Sequence, residues 1–184
     1  SLGIDTAIYE RTPDSPAARL THVNGVGAWD DLPALVRFAQ QCDLLTLENE
    51  FIYAESLAAL EARGFRVYPT SKTLATVQDK LLQKQAYESA GLPVPRFVSV
   101  DSPDDVVRFG EAHGWPLVLK ARYGGYDGYG NATIQSPAGI AAAWDKLAKP
   151  ERRLMVEAWV AFTMELAVMV LRGHDGSVRA YPVV

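Results

Sequence analysis

The sequence VLKARYGGYDGYGN, residues 118–131, combines an apolar strand, a lysine and a loop that holds four glycines. Glycine has no Cβ and adopts positive φ at little cost, so the backbone N–H groups of such a loop can face one concavity. Lys120, at the end of the strand, adds a full positive charge beside that loop. The stretch therefore predicts a binding site for the phosphates of a nucleotide.

The loop does not follow two common phosphate-binding patterns. It lacks the GxxxxGK[ST] order of a P-loop, and a strand rather than a helix is predicted after it, unlike the GxGxxG turn of a dinucleotide site. The tip of a β-hairpin is the alternative interpretation, because hairpin tips also collect Gly, Asp and Tyr. Lys80 behind a helix cap, together with Glu157 and Glu165 around the next pair of strands, favours the nucleotide site.

The composition limits the classes of function. The chain has 184 residues, 48% of them hydrophobic and 22% charged, which is ordinary for a folded protein of one or two domains. A formal net charge of −4 argues against broad nucleic-acid binding, which needs a basic face. No apolar run reaches the ~20 residues of a membrane span, and the single cysteine, Cys42, excludes an intrachain disulfide. We therefore expect a cytoplasmic protein with small-molecule substrates and without nucleic-acid or membrane partners.

Strand-like and helical segments alternate over the first 70 residues. Strands are predicted at 6–9, 44–47 and 65–68, with helices at 32–40 and 54–63 between them. Strands separated by helices usually pair in parallel, so this order predicts an α/β domain with a Rossmann-like parallel sheet. Asp30 and Asp31 are expected to supply the cap of the first helix, and Gly64 to end the second.

The pattern changes near residue 70 to an α+β arrangement with antiparallel pairing. Ser71 opens a short helix, and Asp79 caps a longer one that Gly91 ends. The remaining predicted elements are strands at 97–100, 117–120 and 154–160, helices at 102–114 and 136–147, and a hairpin of 165–171 with 178–184 around residues 174–177.

Several motifs carry a resemblance to a known family. They are QDKL at 78–81 with Lys84, GLPVP at 91–95, LK at 119–120 with GGYDGYG at 124–130, VE at 156–157 with Glu165, and YP at 181–182. On these motifs the sequence resembles the ATP-grasp superfamily and, within it, the 5-(carboxyamino)imidazole ribonucleotide synthetases of purine biosynthesis, the ATPase subunit of phosphoribosylaminoimidazole carboxylase. The GGYDG run favours this family over other ATP-grasp ligases.

The resemblance implies two α+β lobes that clamp ATP and a role for each matching position. Lys80 and Lys120 would contact the ATP phosphates, and Glu165 would accept hydrogen bonds from the ribose hydroxyls. Tyr126 and Asp127 would face the substrate amine and the reacting carbon, so the implied catalytic residues are Lys120, Tyr126 and Asp127. The lid over the phosphates would be formed by Gly125, Tyr126, Asp127, Gly128, Tyr129, Gly130 and Asn131, and the hinge strand along the adenine by Glu157, Ala158, Trp159 and Val160.

Two of these carboxylates have alternative interpretations. Glu165 is also interpretable as a solvated strand residue, although it lies in the apolar run 162–171, where an unpaired charge would be costly. Glu48, in the acidic segment TLENE at 46–50, would accept from the ribose of aminoimidazole ribonucleotide. Capping of the following helix is the other interpretation of Glu48.

The resemblance also implies a domain plan. Residues 1–70 would form the pre-ATP-grasp substrate domain without its first strand and glycine-rich turn. Residues 71–184 would form an incomplete ATP-grasp domain, with a lid lobe at about 113–157. On this plan the chain is truncated at both ends, the ligands for Mg²⁺ lie beyond residue 184, and the fragment alone is expected to be inactive.

The implied activity is that of an ATP-dependent carbon–nitrogen ligase, active as a homodimer. It would use ATP, Mg²⁺ and bicarbonate to carboxylate the amine of aminoimidazole ribonucleotide. Three alternatives stay open: another ATP-grasp ligase, such as the formate-dependent glycinamide ribonucleotide transformylase, a non-catalytic ATP-binding remnant, and a structural or interaction domain.

Overall fold

The computed structural model describes residues 3–124, 129–173 and 175–184. Its first part contains, in order, β1 (Ala7–Glu10), β2 (Val23–Val26), α1 (Leu32–Ala39), β3 (Leu45–Thr46), α2 (Ala54–Glu61) and β4 (Val67–Tyr68). β1 pairs with β2, and β3 with β4, both in parallel. The predicted parallel pairing and both helices are confirmed. The sequence pattern missed β2, because Asn24 and Gly25 interrupt its apolar residues.

The two helices supply most of the core of this part. The Asp31 carboxylate caps α1 as predicted, accepting a hydrogen bond from the Ala34 N–H at 3.0 Å. The buried cluster consists of Leu35, Ala39, Ile52, Ala54, Leu57, Leu60, Val67 and Leu74. Leu74 belongs to the next helix, α3 (Ser71–Gln78), so this core extends past residue 70.

The second part is built on one antiparallel sheet. Its elements are α4 (Lys80–Ser89), β5 (Phe97–Val100), α5 (Pro103–His113), β6 (Leu117–Ala121), β7 (Asn131–Ile134), α6 (Ile140–Leu147) and β8 (Leu154–Ala158). The four strands are ordered β5-β8-β6-β7, and every neighbouring pair is antiparallel. The predicted α+β arrangement is therefore confirmed.

Side chains alternate across this sheet, and α5 and α6 pack on one of its faces. Leu117, Leu119 and Ala121 of β6 are buried in that core, together with Leu154 and Val156 of β8. The side chains that alternate with them along the two strands, including those of Lys120 and Glu157, point to the opposite face. The sheet therefore has an apolar face, which packs against α5 and α6, and an opposite face that carries charged side chains.

The last part of the chain is the predicted hairpin of β9 (Val170–Arg172) and β10 (Val178–Ala180), which pair antiparallel. Hydrogen bonds exchanged between Ala167 and Val184 extend the pairing. Its apolar side chains are exposed, and so is Glu165, as in the alternative interpretation of Glu165 as a solvated strand residue. Residue 174 lies outside the described residues. No described helix combines the length and the apolar character that crossing a membrane requires.

Candidate functional site

A cluster of charged side chains lies on the sheet face opposite the α5/α6 core. In the register of the sheet Glu157 faces Val118, and Lys120 faces Met155. Lys120 and Glu157 are therefore diagonal neighbours on the same face, within reach of long side chains. The sequence placed both in one site, and the structure brings them together.

Glu157 is a buried carboxylate between two ammonium groups. Its residue is 6% exposed, and its Oε1 atom forms an ion pair with the Lys120 Nζ. The Oε2 atom lies 2.7 Å from the Nζ of Lys84 in α4. The cluster of two lysines and one carboxylate carries a formal charge of +1, which suits an anionic ligand.

The start of α4 is attached to the strand that carries Lys120. Arg122 follows this strand and donates two hydrogen bonds to the carboxylate of Asp79, one of them from Nε to Oδ1 at 3.0 Å. The backbone N–H of Lys80 donates to the Arg122 carbonyl at 2.9 Å. Lys80, the first residue of α4, is thereby held beside the end of the Lys120 strand.

Asp79 is the predicted cap of α4, and its side chain is fully buried. Its Oδ1 accepts from the Leu81 N–H at 2.9 Å. Burial by itself would raise the pKa of Asp79, but hydrogen bonds from Arg122, Tyr123 and the Leu81 N–H outweigh it, and the pKa lies below its usual value. Asp79 is therefore ionised at neutral pH and joins α4 to the sheet.

Tyr123 is the other partner of this carboxylate. Desolvation raises the pKa of the Tyr123 phenol, and both the hydrogen bond to Asp79 and the negative charge of Asp79 raise it further. The phenol is neutral at physiological pH and serves as a donor to Asp79. The residue directly before the glycine loop is thus connected to the cap of the helix that carries Lys80 and Lys84.

The acidic segment 46–50 is tied to the same helix start. Gln78 donates from Nε2 to the carbonyls of Glu50 at 2.6 Å and Ile52 at 2.8 Å. Glu48 is exposed and accepts from the Asn49 side chain at 2.8 Å. The alternative interpretation of Glu48 as a helix cap is wrong, because the cap position of α2 is Tyr53 and no side chain caps it.

The glycine-rich loop connects β6 to β7, which are antiparallel neighbours. It is therefore a hairpin connection, as the alternative interpretation held, and a loop of this kind can also cover a ligand. Gly125, Tyr126, Asp127 and Gly128 lie outside the described residues. Of the other predicted lid residues, Tyr129 is 80% exposed, the Gly130 carbonyl accepts from Ala121 at 2.8 Å, and Asn131 starts β7 opposite Lys120.

The predicted hinge residues lie at the end of β8. The Ala158 N–H donates to the Arg96 carbonyl at 2.9 Å, and the Trp159 N–H to the Pro116 carbonyl at 3.3 Å. The side chains of Trp159 and Val160 are about half exposed. Glu165 lies beyond them and is exposed. The described residues contain no group of three or more His, Cys, Asp or Glu side chains arranged to hold a metal ion.

Sequence reasoning missed three residues of this cluster. Lys84 belongs to one of the family motifs without an implied role, and Arg122 and Tyr123 lie in the stretch 118–131 without a predicted role. The sequence did contain an indication for Lys84. Residues four apart on a helix share a face, and the resemblance assigns Lys80, four residues earlier, to the ATP phosphates. No comparable signal in the sequence pairs Arg122 with Asp79.

Two family models match the chain. Residues 85–184 match the ATP-grasp domain, and residues 1–78 match the ribonucleotide synthetase pre-ATP-grasp domain. Among curated relatives, the N5-carboxyaminoimidazole ribonucleotide synthase of Synechococcus elongatus is 34% identical over 183 residues, covering 100% of this chain and 46% of the relative. The chain thus spans about half the length of this relative and 32% of the length of the phosphoribosylaminoimidazole carboxylase of Vigna aconitifolia, to which it is 33% identical.

Solved structures agree with these matches. A crystal structure of the ADP complex of N5-carboxyaminoimidazole ribonucleotide synthetase is 31% identical with a TM-score of 0.89, covering 97% of this chain and 47% of its own. The Aspergillus clavatus enzyme in complex with ADP and 5-aminoimidazole ribonucleotide is 28% identical with a TM-score of 0.87, covering 99% and 47%. A glycinamide transformylase from Mycobacterium tuberculosis, at 19% identity, a TM-score of 0.73 and coverage of 99% and 50%, shares the fold alone.

Proposed function

The chain belongs to the ATP-grasp family, and on that basis we propose that the protein is an ATP-dependent carbon–nitrogen ligase of purine biosynthesis. Its reaction is the carboxylation of the amine of 5-aminoimidazole ribonucleotide with bicarbonate. The names of the relatives support this choice over the formate-using transformylase, which matches with lower identity and a lower TM-score.

One observation carries the proposal: the buried Glu157 brings Lys120 and Lys84 together on one sheet face beside the glycine loop. A cluster with net positive charge next to a glycine-rich loop is suited to a polyphosphate. Lys80 is held near it through its backbone bond to Arg122. We assign the ATP phosphates to Lys80, Lys120 and the loop of residues 125–131.

The adenosine moiety is assigned to the end of β8 and the residues after it. Glu157, Ala158, Trp159 and Val160 would lie along the adenine, with the half-exposed side chains of Trp159 and Val160 accessible to it. Glu165 is exposed and therefore accessible to the ribose hydroxyls of ATP. A carboxylate is suited to a diol, because its two oxygens accept from both hydroxyl groups.

The chemistry consists of two group transfers. A bicarbonate oxygen attacks the γ-phosphorus of ATP, and ADP leaves, which forms carboxyphosphate. The exocyclic amine of the ribonucleotide then attacks the carboxyl carbon, or the carbon dioxide released from it, to yield the carbamate and phosphate. Lys120 stabilises the charge on the phosphoryl oxygens during the first transfer.

The second substrate is assigned to the side of the site nearer the first domain. Glu48 is exposed at the end of β3 and would accept from the ribose of the ribonucleotide. Tyr126 and Asp127 are proposed to face its amine and the reacting carbon. Mg²⁺ would neutralise phosphate charge in this reaction, but no cluster of carboxylate, histidine or cysteine side chains among the described residues fits it.

Substitution of Lys120 tests the core of the proposal. Lys120→Ala should slow ATP-dependent phosphoryl transfer by roughly two to three orders of magnitude, as loss of one preorganised charge-stabilising contact does. The measurement is ADP release at saturating substrates. Lys72→Ala, at an exposed lysine of α3, is the matched control and should leave the rate unchanged. An unchanged rate in Lys120→Ala would remove Lys120 from the mechanism.

An omission assay tests the substrate assignment. ADP release by the full-length protein is measured with ATP, bicarbonate and aminoimidazole ribonucleotide, leaving out each in turn. Full turnover should require all three. Release that depends on formate and glycinamide ribonucleotide instead would assign the protein to the transformylase reaction, and nucleotide binding without turnover would identify a non-catalytic ATP-binding protein.

We also propose a domain division near residue 70, a homodimeric assembly and a cytoplasmic location. The change from parallel to antiparallel pairing supports the division, although Leu74 packs with the first core. Sedimentation equilibrium would measure the oligomeric state directly.

A further inference from the structure

We infer that Lys84 is a positioning residue of the nucleotide site. Its positive charge compensates the negative charge of Glu157, so that the Lys120 ammonium can leave this carboxylate and contact a phosphate when a nucleotide binds. The inference rests on the proposed function, because it assumes that a nucleotide binds beside Lys120. Lys84 itself would touch Glu157 and not the reacting atoms.

The two lysines bind Glu157 from different elements and through different oxygens. Lys120, from the sheet, pairs with Oε1, and Lys84, from α4, lies 2.7 Å from Oε2. The Lys84 side chain is 17% exposed and that of Lys120 is 29% exposed. Lys120 is thus the more accessible of the two to a ligand, and Lys84 is the more enclosed.

The Oε2 atom is the oxygen of Glu157 whose negative charge Lys84 compensates. It is buried and accepts no hydrogen bond among the described residues. The Lys84 ammonium lies 2.7 Å from it and supplies the counter-charge of this oxygen. A buried carboxylate that lacks both a hydrogen bond and a counter-charge is strongly disfavoured.

Nucleotide binding changes the charge balance of this cluster. A phosphate that attracts Lys120 takes one of the two counter-charges away from Glu157. With Lys84 present, the carboxylate keeps one full positive charge beside it. Without Lys84, the same movement of Lys120 would leave a buried, uncompensated carboxylate, which opposes binding.

The test measures the affinity for MgADP by isothermal titration calorimetry. Lys84→Met should raise the dissociation constant by about tenfold or more, since the pair is buried on the Glu157 side and only partly screened on the lysine side. Lys84→Arg keeps the charge and should restore most of the affinity. Lys72→Met, at the exposed lysine of α3, is the control and should bind like the unaltered protein.

A double-mutant cycle separates positioning from a general structural role. In a Glu157→Gln background, Lys84→Met should change the affinity less than about twofold, because no charge remains to be compensated. Melting temperatures of all variants, measured without nucleotide, report whether each one folds. A lower melting temperature with unchanged affinity would mean that Lys84 only stabilises the fold.

The outcomes distinguish this inference from the proposed function. Tight binding by both the unaltered protein and Lys84→Met overturns the inference alone, as does an equal loss of affinity with and without Glu157. If the full-length protein binds neither MgADP nor MgATP, the proposed function is wrong and the inference is wrong with it.

Discussion

Asp79 and Glu157 are both buried carboxylates, yet they lie in very different surroundings. Asp79 receives two hydrogen bonds from one guanidinium and one from a backbone N–H. Glu157 lies between two flexible ammonium groups, and one of its oxygens accepts no hydrogen bond among the described residues. The first carboxylate has a directed partner on both oxygens, whereas the second is held mainly by charge.

The difference indicates that Asp79 forms a structural contact, a joint that holds α4 against the sheet, and that Glu157 belongs to a binding site. A planar guanidinium in two-point contact fixes distance and direction, which is what holding α4 against the sheet requires. An ammonium on a long stem can exchange one anion for another at little steric cost. Substitution of Asp79 should therefore lower the free energy of unfolding. Substitution of Glu157 should mainly change the affinity for a nucleotide.

The largest expected effect on stability is that of removing the Asp79 carboxylate, which holds α4 against the sheet. Asp79→Ala should lower the free energy of unfolding by roughly 3–5 kcal/mol, because it leaves the Arg122 guanidinium largely buried without its partner and removes the cap of α4. Urea denaturation measures this value. Asp145→Ala, at an exposed aspartate of α6, should stay within about 0.5 kcal/mol. Equal effects of the two substitutions would contradict the assignment of Asp79 as a joint.

The next effect depends on pH. Asp79→Asn keeps the shape of the side chain and should cost about 2 kcal/mol at pH 7, where hydrogen bonds to a charged group are lost. The pKa of Asp79 is lower in the folded protein than in the unfolded chain. Its charge therefore contributes stability above the unfolded pKa of about 4, and this contribution is lost as the pH falls toward the folded pKa.

The measurement for this prediction is a series of urea titrations between neutral and acidic pH on both proteins. The difference in unfolding free energy between the unaltered protein and Asp79→Asn should narrow below about pH 4. Taking the difference cancels the contribution of Asp105, another carboxylate whose pKa is lowered, which both proteins retain. A constant difference across the range would show that the charge of Asp79 does not matter.

The smallest expected effect on stability concerns the binding site. Glu157→Gln should change the free energy of unfolding by less than about 1 kcal/mol, because the amide keeps the shape of the side chain and ion pairs with partly exposed lysines contribute little. Both lysines are partly exposed and can return to solvent. Urea denaturation is again the measurement. A loss as large as that of Asp79→Ala would remove the distinction between the two carboxylates.

Much of the fold could be predicted from local patterns. The caps at Asp31 and Asp79 depend on hydrogen bonds within a few residues of each other, and both are present. The same holds for the capping box of Ser102 and Asp105 at the start of α5. The apolar run 162–171 shows the limit of this reasoning, since its composition indicated burial and its side chains are exposed.

The sequence by itself determined the order of helices and strands apart from β2, together with the helix caps, because these follow from short-range hydrogen bonds and apolar periodicity. The resemblance to the ATP-grasp family rested on its motifs. Only the tertiary structure decided that Lys84 meets Glu157 and that Arg122 meets Asp79. These pairs join residues far apart in the chain, and the register of β6 against β8 and the packing of α4 on that sheet determine which side chains meet.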